Sequence, residues 1–390
     1  MSTSTLYIDH CRELALAGGI PPRPHGDNAE RPARGRIRYV EAKMPDWRRL
    51  TELSSLCAEQ NQWTNSGPLS LALGRIISHV SHVPDSHCTV MASSGTAALY
   101  AAAGIFAARA GKPLRWAVSA FGFSATLTGP FAGLTITVDC DDQGFLDLSA
   151  LAKMPDDIWD GLLVTRPFGL ERDMSRYRSF CDERGKPLIV DAALAFPGLP
   201  TIGPDVIEIV SFHHTKPWGF GEGGCIFAPA ADEVLARSIL SFGEDQPAWV
   251  LPSVSNGKLS ELAAAAIIDR LETMPAWSAR YHAQRRRIVG LVEQSALKPL
   301  GDYDDVTIAA SVPVLACRPI KLEELPDVGF DCGKYYVPLS TSARMASSIH
   351  DRIVNIPCHG DMADIADEQI MALLERMALG SVSVAASPRG

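Results

Sequence analysis

No two of the nine cysteines in this 390-residue chain form a C-x-x-C pair. That absence argues against a zinc or iron–sulfur centre and fits reduced thiols used as small buried hydrophobes. Basic residues are in deficit. Lys and Arg number 36 against 45 Asp and Glu, a net charge of -9, which argues against nucleic acid as a main partner. The one basic run, Arg285-Arg286-Arg287, falls in a helical segment with polar neighbours and is expected to be a solvated face. No apolar run is long enough to span a bilayer, and Met1 to His10 lack the basic start and apolar core of a secretion signal. A cytoplasmic protein without a membrane partner is the expectation. His79, His82 and His87 lie close in sequence, but with no cysteine or carboxylate motif beside them no metal site is expected. No internal repeat is present.

What is present is apolar residue enough, 46%, for a large core in two domains. Residues 19–36 are rich in Pro, Gly and charge and read as an extended arm; 380–390 read as a frayed tail. Between them the pattern predicts helices over 46–59, 69–81, 95–110, 124–132 and 173–184. Strands are predicted over 88–92, 115–119, 134–139, 161–166, 187–191, 206–212 and 225–229. This is an α/β fold with a mostly parallel sheet. Longer helices follow over 258–272 and 277–296. Then come short strands (312–317, 333–336, 352–356) and helices (321–326, 342–349, 366–378), a smaller α+β unit. The expected division is an arm over 1–35, a large domain over 36–275, a small domain over 276–380 and a tail over 381–390.

The most informative stretch runs from Ser211 to Gly224, Ser-Phe-His-His-Thr-Lys-Pro-Trp-Gly-Phe-Gly-Glu-Gly-Gly. It sets Lys216 in a glycine-rich loop between two strand-like segments, where backbone can approach a ligand closely. An amine on a fixed loop, able to lose its proton, suits a cofactor that carries an aldehyde. A surface lysine in a turn is the plainer alternative. Gly219, Gly221 and Gly224 also satisfy G-x-G-x-x-G, but they precede a strand rather than open a helix, so a dinucleotide site is rejected.

Four features lean the same way. Ser94-Gly95-Thr96 leads from a strand into an alanine-rich helix, offering N–H groups and hydroxyls to a phosphate, or only an ordinary cap. Leu188-Ile-Val-Asp191 ends an apolar strand in an acid. That acid suits a protonated ring nitrogen or, more plainly, a helix cap. Phe123 offers a ring for stacking, or a core residue; Ser211 offers a hydroxyl. All sit at C-terminal strand ends, where ligands gather in open α/β sheets.

With these residues in order, the chain resembles the DegT/DnrJ/EryC1/StrS family, the sugar aminotransferase group of fold type I pyridoxal-phosphate enzymes. The resemblance rests on Trp63-Thr-Asn-Ser-Gly67-Pro68, Ser94-Gly-Thr-Ala-Ala-Leu99, Phe121-Gly-Phe-Ser-Ala-Thr126, Phe168-Gly169 through Asp173-Met174, Val190-Asp-Ala-Ala193, Ser211-Phe-His-x-x-Lys216 and Gly221-Glu-Gly-Gly224. It continues with Asn256-Gly-Lys-Leu-Ser-Glu261, Tyr336-x-Pro338 and Ile356-Pro-x-His359. It implies pyridoxal 5'-phosphate as cofactor, bound covalently by Lys216, with Asp191 on the ring nitrogen and Phe123 on the ring face. Gly95, Thr96 and Ser211 would hold the phosphate. Asn256 would reach the phosphate of a neighbouring subunit, making a homodimer with shared sites. The implied reaction moves an amino group from a small-molecule donor, glutamate or glutamine, to a keto acceptor. That acceptor would be a sugar, cyclitol or related biosynthetic intermediate. Three positions depart from the family pattern: Leu194 replaces a usual glutamine, Arg166 a histidine and Gly74 a glutamate. The first two leave open a non-transaminating enzyme on the same fold, a lyase, racemase or C–C bond-forming catalyst.

Overall fold

The computed structural model describes residues 35–379. Of the arm expected over 1–35 only Gly35 is described, and the expected tail over 381–390 lies outside the described residues. A seven-stranded sheet carries the fold. In chain order its strands are β1 (His87–Ala92), β2 (Trp116–Ser119), β3 (Thr135–Val138), β4 (Gly161–Thr165), β5 (Leu188–Asp191), β6 (Val206–Ser211) and β7 (Gly224–Pro229). They lie in the order β1-β7-β6-β5-β4-β2-β3. β7 runs antiparallel to both its neighbours, and every other pairing in this sheet is parallel. The strands with functional candidates at their ends therefore all point one way.

The central strands are apolar on both faces because both faces are covered. Ile189, Ile207 and Ile209 turn to one side, against the alanine-rich helix Gly95–Ala110. Leu188, Val190, Val206 and Val210 turn to the other, where helices Trp47–Gln60, Pro68–Val80 and Glu261–Glu272 pack. That second core continues past helix Met274–Glu293 into a small antiparallel sheet of β8 (Lys298–Pro299), β9 (Ser311–Leu315) and β10 (Ile353–Pro357), in the order β10-β9-β8.

Acids distant in sequence fix helix starts. Buried Glu261 accepts N–H bonds from Gly67 (3.0 Å), Leu69 (2.6 Å) and Ser70 (3.1 Å), so the Asn256–Glu261 motif caps the helix that follows Gly67-Pro68. Asp139, just past β3, accepts from Met345 (2.9 Å) and Ala346 (3.0 Å) and caps helix Arg344–Arg352 beside the small sheet. Each cap satisfies N–H groups that have no partner within the helix.

Several expectations need correction. The helix expected over 124–132 is two short 3-10 turns, Ser124–Leu127 and Gly129–Phe131, because Gly129 and Pro130 interrupt it. The strand expected over 333–336 is one isolated bridge, Gly333 to Asn355, since Tyr336 takes a left-handed φ of 61° that ends pairing. The helix over 321–326 is a single turn, Leu322–Glu324, and helix Glu233–Ile239 was not anticipated. Of the arginine run, only Arg286 is exposed. Arg285 is buried and donates to Asp304 O (2.8 Å) and Thr307 O, while Arg287 donates to Met362 O (2.9 Å) and Ile365 O (2.5 Å). Loop carbonyls that need donors draw these guanidinium groups inward.

Candidate active site

At the C-terminal ends of β5 and β6 opens a cavity of about 850 Å³. Its floor is closely packed backbone. A Cβ on Gly95 would lie 2.9 Å from Ser211 Cβ, and one on Gly224 would lie 2.7 Å from Gly95 N. Only glycine lets the start of helix Gly95–Ala110 sit this near β6 and β7. Ser94 caps that helix through the Ala97 N–H (3.1 Å), while the N–H groups of Gly95 and Thr96 have no acceptor among the described residues. Ser211 Oγ accepts from the His213 N–H at 3.3 Å, which leaves its own hydrogen for a ligand.

Asp191 ends β5 facing the cavity, with Oδ1 fixed by the Ala193 N–H at 3.1 Å. Burial raises its pKa; that N–H and the nearby Lys216 charge oppose the rise. Lys216 lies past β6. Burial lowers its pKa, opposed by Asp191. Its surface is only half-buried because the cavity reaches it, yet protein surrounds the amine on its other sides. A buried acid and a buried amine that perturb each other in one cleft mark a reactive site. Phe123, which is 57% exposed, stands at the cavity with a free ring face. Also on the lining, His213 holds Thr215 Oγ1 at 2.8 Å and approaches Glu222 at 3.5 Å.

The opposite wall comes from residues 334–339. Tyr336 packs edge to face on Phe168 at 4.7 Å, and both residues have left-handed φ angles, 61° and 56°. Burial and the Asp191 charge raise the Tyr336 pKa. Gly169 presses on Leu194, for a Cβ there would lie 2.1 Å from Leu194 O, and Leu194 lines the cavity.

The structure thus brings Gly95, Thr96, Phe123, Asp191, Ser211 and Lys216 around one cavity. It does not bring Asn256 there. That residue is exposed, in a bridge to Ser241. Arg166 does not line the cavity either; it lies beside buried Glu208, whose pKa burial raises while the guanidinium opposes the rise. Gly74 opens instead on a separate cleft of about 400 Å³ bordered by Arg75, Arg237 and Lys258. His79 and His82 have ring centroids 6.3 Å apart, while His87 turns to Ser86 Oγ and Gly203 O. Sequence reasoning missed Lys43, whose buried ammonium braces the Lys216 loop from behind.

The residues present fit pyridoxal phosphate. Unpaired N–H groups and hydroxyls at a helix start suit its phosphate, a buried carboxylate suits its ring nitrogen, and an amine of lowered pKa suits its aldehyde. Among the described residues no helix is long and apolar enough to cross a membrane.

Comparisons agree. The model of the DegT/DnrJ/EryC1/StrS aminotransferase family matches residues 49–310. Proteins of Mycobacterium bovis and Mycobacterium tuberculosis are each 25% identical over 375 residues, covering 87% of this chain and 90% of theirs. Among solved structures, 3-amino-5-hydroxybenzoic acid synthase superposes with a TM-score of 0.72 at 18% identity, covering 88% of this chain and 98% of its own. Helicobacter pylori PseC, an aminotransferase of pseudoaminic acid biosynthesis, gives 0.71 at 15% identity over 88% and 98%. DesI, solved with its TDP-sugar product, gives 0.67 at 22% over 94% and 96%. The chain belongs to the DegT/DnrJ/EryC1/StrS aminotransferase family and has the fold of the type I pyridoxal-phosphate-dependent enzymes.

Proposed function

We propose that this enzyme transfers an amino group from glutamate or glutamine to a ketone on a sugar, cyclitol or related carbocycle in a cytoplasmic biosynthetic pathway. The observation that carries the site assignment is the meeting of Lys216 and Asp191 in one cavity floored by Gly95 and Ser211. The acceptor class is supported by neighbours of the same fold that act in amino-sugar and aminohydroxybenzoate formation.

Bound there, the cofactor supplies an aldehyde and an electron-accepting ring. Lys216 Nζ, its proton loosened by burial, takes and returns the substrate's proton as general base and acid. Asp191 keeps a charge opposite the ring nitrogen. The Gly95 and Thr96 N–H groups and the Ser211 hydroxyl would hold the phosphate, and Phe123 would stack on the ring. The same proposal makes the active unit a homodimer, with exposed Asn256 serving the neighbour's phosphate. It also divides the chain into a large domain over 36–275 and a small one over 276–380.

The test is a half-reaction screen. Purified holoenzyme is mixed with each common amino acid while the visible cofactor band is followed. Glutamate or glutamine should bleach that band and release a stoichiometric keto acid with no acceptor present. A second reading, a non-transaminating enzyme, is favoured by Leu194 on the cavity lining; it predicts no keto acid from any donor.

A further inference from the structure

Residues 41–45 form an extended segment with an inverted burial pattern. Glu41, Lys43 and Pro45 are buried, while Ala42 and Met44 face outward, Met44 with 77% exposure. Alternate side chains of an extended segment point the same way, so Glu41 and Lys43 enter the protein together. They enter behind the loop that carries Lys216.

The Lys43 ammonium donates to three carbonyls of that loop: His214 O (2.6 Å), Gly219 O (2.8 Å) and Lys216 O. An ammonium has three N–H donors, and here each has one acceptor. The loop's fourth inward carbonyl, Pro217 O, accepts from Arg270 Nε at 3.0 Å. Arg270 is in turn held by Glu41 at 2.5 Å, and Tyr281 Oη approaches the same carboxylate at 3.3 Å. Loop carbonyls turned inward need donors, because an unpaired buried carbonyl costs free energy. Within the loop, Lys216 N–H reaches His213 O (2.8 Å), Gly219 N–H reaches Lys216 O (3.1 Å) and Phe212 N–H reaches Gly223 O (2.7 Å). These bonds shape the turn but do not tie it to the body of the protein. Buried Trp218 ties its far side, through packing on Phe196 and Nε1 to Ser211 O (2.8 Å), and Lys43 and Arg270 tie its carbonyls.

We propose that Lys43 is a positioning residue for the amine of Lys216: it fixes the loop from behind so that Nζ stays in the cavity, without itself touching substrate or cofactor. The proposal rests on Lys216 being the cofactor-binding lysine. Burial beside Arg270 pulls the Lys43 pKa to about 7, while Glu41 opposes that loss. The three carbonyls favour the protonated form as well, since a neutral amine would leave one of them without a donor. Arg270, Glu41, His214 and Lys216 are the titratable groups facing it.

The experiment compares the full-length wild type with Lys43→Met and Lys43→Gln. Borohydride reduction and peptide mapping of the wild-type holoenzyme come first. A label away from Lys216 removes the reading on which the proposal rests, whereas the loop measurement below judges the brace separately. Amide hydrogen exchange is then read on the peptide spanning 212–223 before cofactor is added. In the wild type this peptide should exchange as slowly as β6; exchange at the rate of a free loop would overturn the brace with no variant needed. Lys43→Met should speed exchange there at least tenfold while the peptides of β4 and β5 stay unchanged. Its kcat for the donor half-reaction should fall at least tenfold with KM for the donor within twofold, a split that general loss of fold would not give. Lys43→Gln keeps two donors and should fall between the two, and it carries the test if the methionine variant does not fold. Loop exchange and kcat within twofold of wild type in a folded variant would refute the proposal.

Discussion

The wall of the cavity made by the ends of β5 and β6 differs from the wall made by residues 334–339 in how its backbone is held. On the first, several bonds hold the backbone in place. Asp191 is fixed by Ala193, Ser211 O accepts from Trp218 Nε1 at 2.8 Å, and the Lys216 loop hangs from Lys43 and Arg270. On the second, Tyr335 is 44% and Val337 67% exposed, and the backbone is tied at few points, among them Leu339 N–H to Ala120 O (2.8 Å) and the bridge at Gly333. Chemistry common to a family needs a preorganised wall, whereas recognition of one acceptor needs a wall whose side chains can change without moving the first. The predictions that follow probe this contrast, beginning where the loss should be greatest.

Lys216→Ala removes both the covalent anchor and the proton carrier. Activity should fall by at least the roughly 10²–10⁴-fold typical of a lost general base. Borohydride should then leave no label in the 212–223 peptide by mass spectrometry. Persisting label there would mean that another amine forms the link.

Gly95→Ala tests the packed floor. The new Cβ would meet Ser211 Cβ at 2.9 Å, so either β6 or the helix start must shift. Cofactor affinity, titrated by the visible band, should weaken about tenfold or more, the effect of losing about 1.4 kcal/mol of phosphate binding. Unchanged affinity would show that the phosphate does not lie over Gly95.

The proposed dimer makes a sharper test of Asn256, which one chain alone leaves exposed and away from its own cavity. Lys216→Ala and Asn256→Ala should each be impaired, yet a co-refolded mixed dimer should regain about one intact site, as two-fold symmetry requires. Proven mixed dimers without activity would remove Asn256 from the neighbour's site.

On the looser wall the effect should be selective. Val337→Asp should raise KM for the acceptor severalfold while leaving the donor half-reaction within twofold, measured by single-turnover bleaching of the cofactor band. Equal loss in both halves would show that residues 334–339 shape the cofactor site as well.

The same contrast explains what could be seen in the sequence. The strand-end residues were legible because each has a local signature: an acid closing an apolar strand at Asp191, a lysine among glycines at Lys216, a serine cap before alanines at Ser94. The sheet was legible because Leu188 to Val190 and, Glu208 apart, Val206 to Val210 are apolar on both faces. Lys43 was not, because its pattern is inverted: alternation places Glu41 and Lys43 on the surface by every hydrophobic rule, yet distant loop carbonyls draw Lys43 in and Arg270 draws in Glu41. Arg285 was misread for the same reason, a long-range carbonyl partner at Asp304. The strand expected near 333–336 failed on a left-handed φ at Tyr336, which no propensity announces in a tyrosine.

The smallest expected effect concerns Leu194, the departure that does face the cavity. A glutamine at this place could donate a hydrogen bond to the cofactor's phenolic oxygen; leucine has nothing to donate. Donation to the deprotonated form favours that form and lowers the pKa read at Lys216 Nζ in the bound state. With leucine the proton should therefore persist to higher pH, and Leu194→Gln should lower the midpoint of the visible-band titration. One hydrogen bond of about 1.4 kcal/mol corresponds to a shift of about one pH unit. The direction separates this account from a packing effect: lost apolar contact with the ring would weaken cofactor affinity and leave the midpoint in place. Coincident titration curves with unchanged affinity would show that another donor already serves that oxygen. Leu194 would then no longer argue for a reaction other than amino transfer.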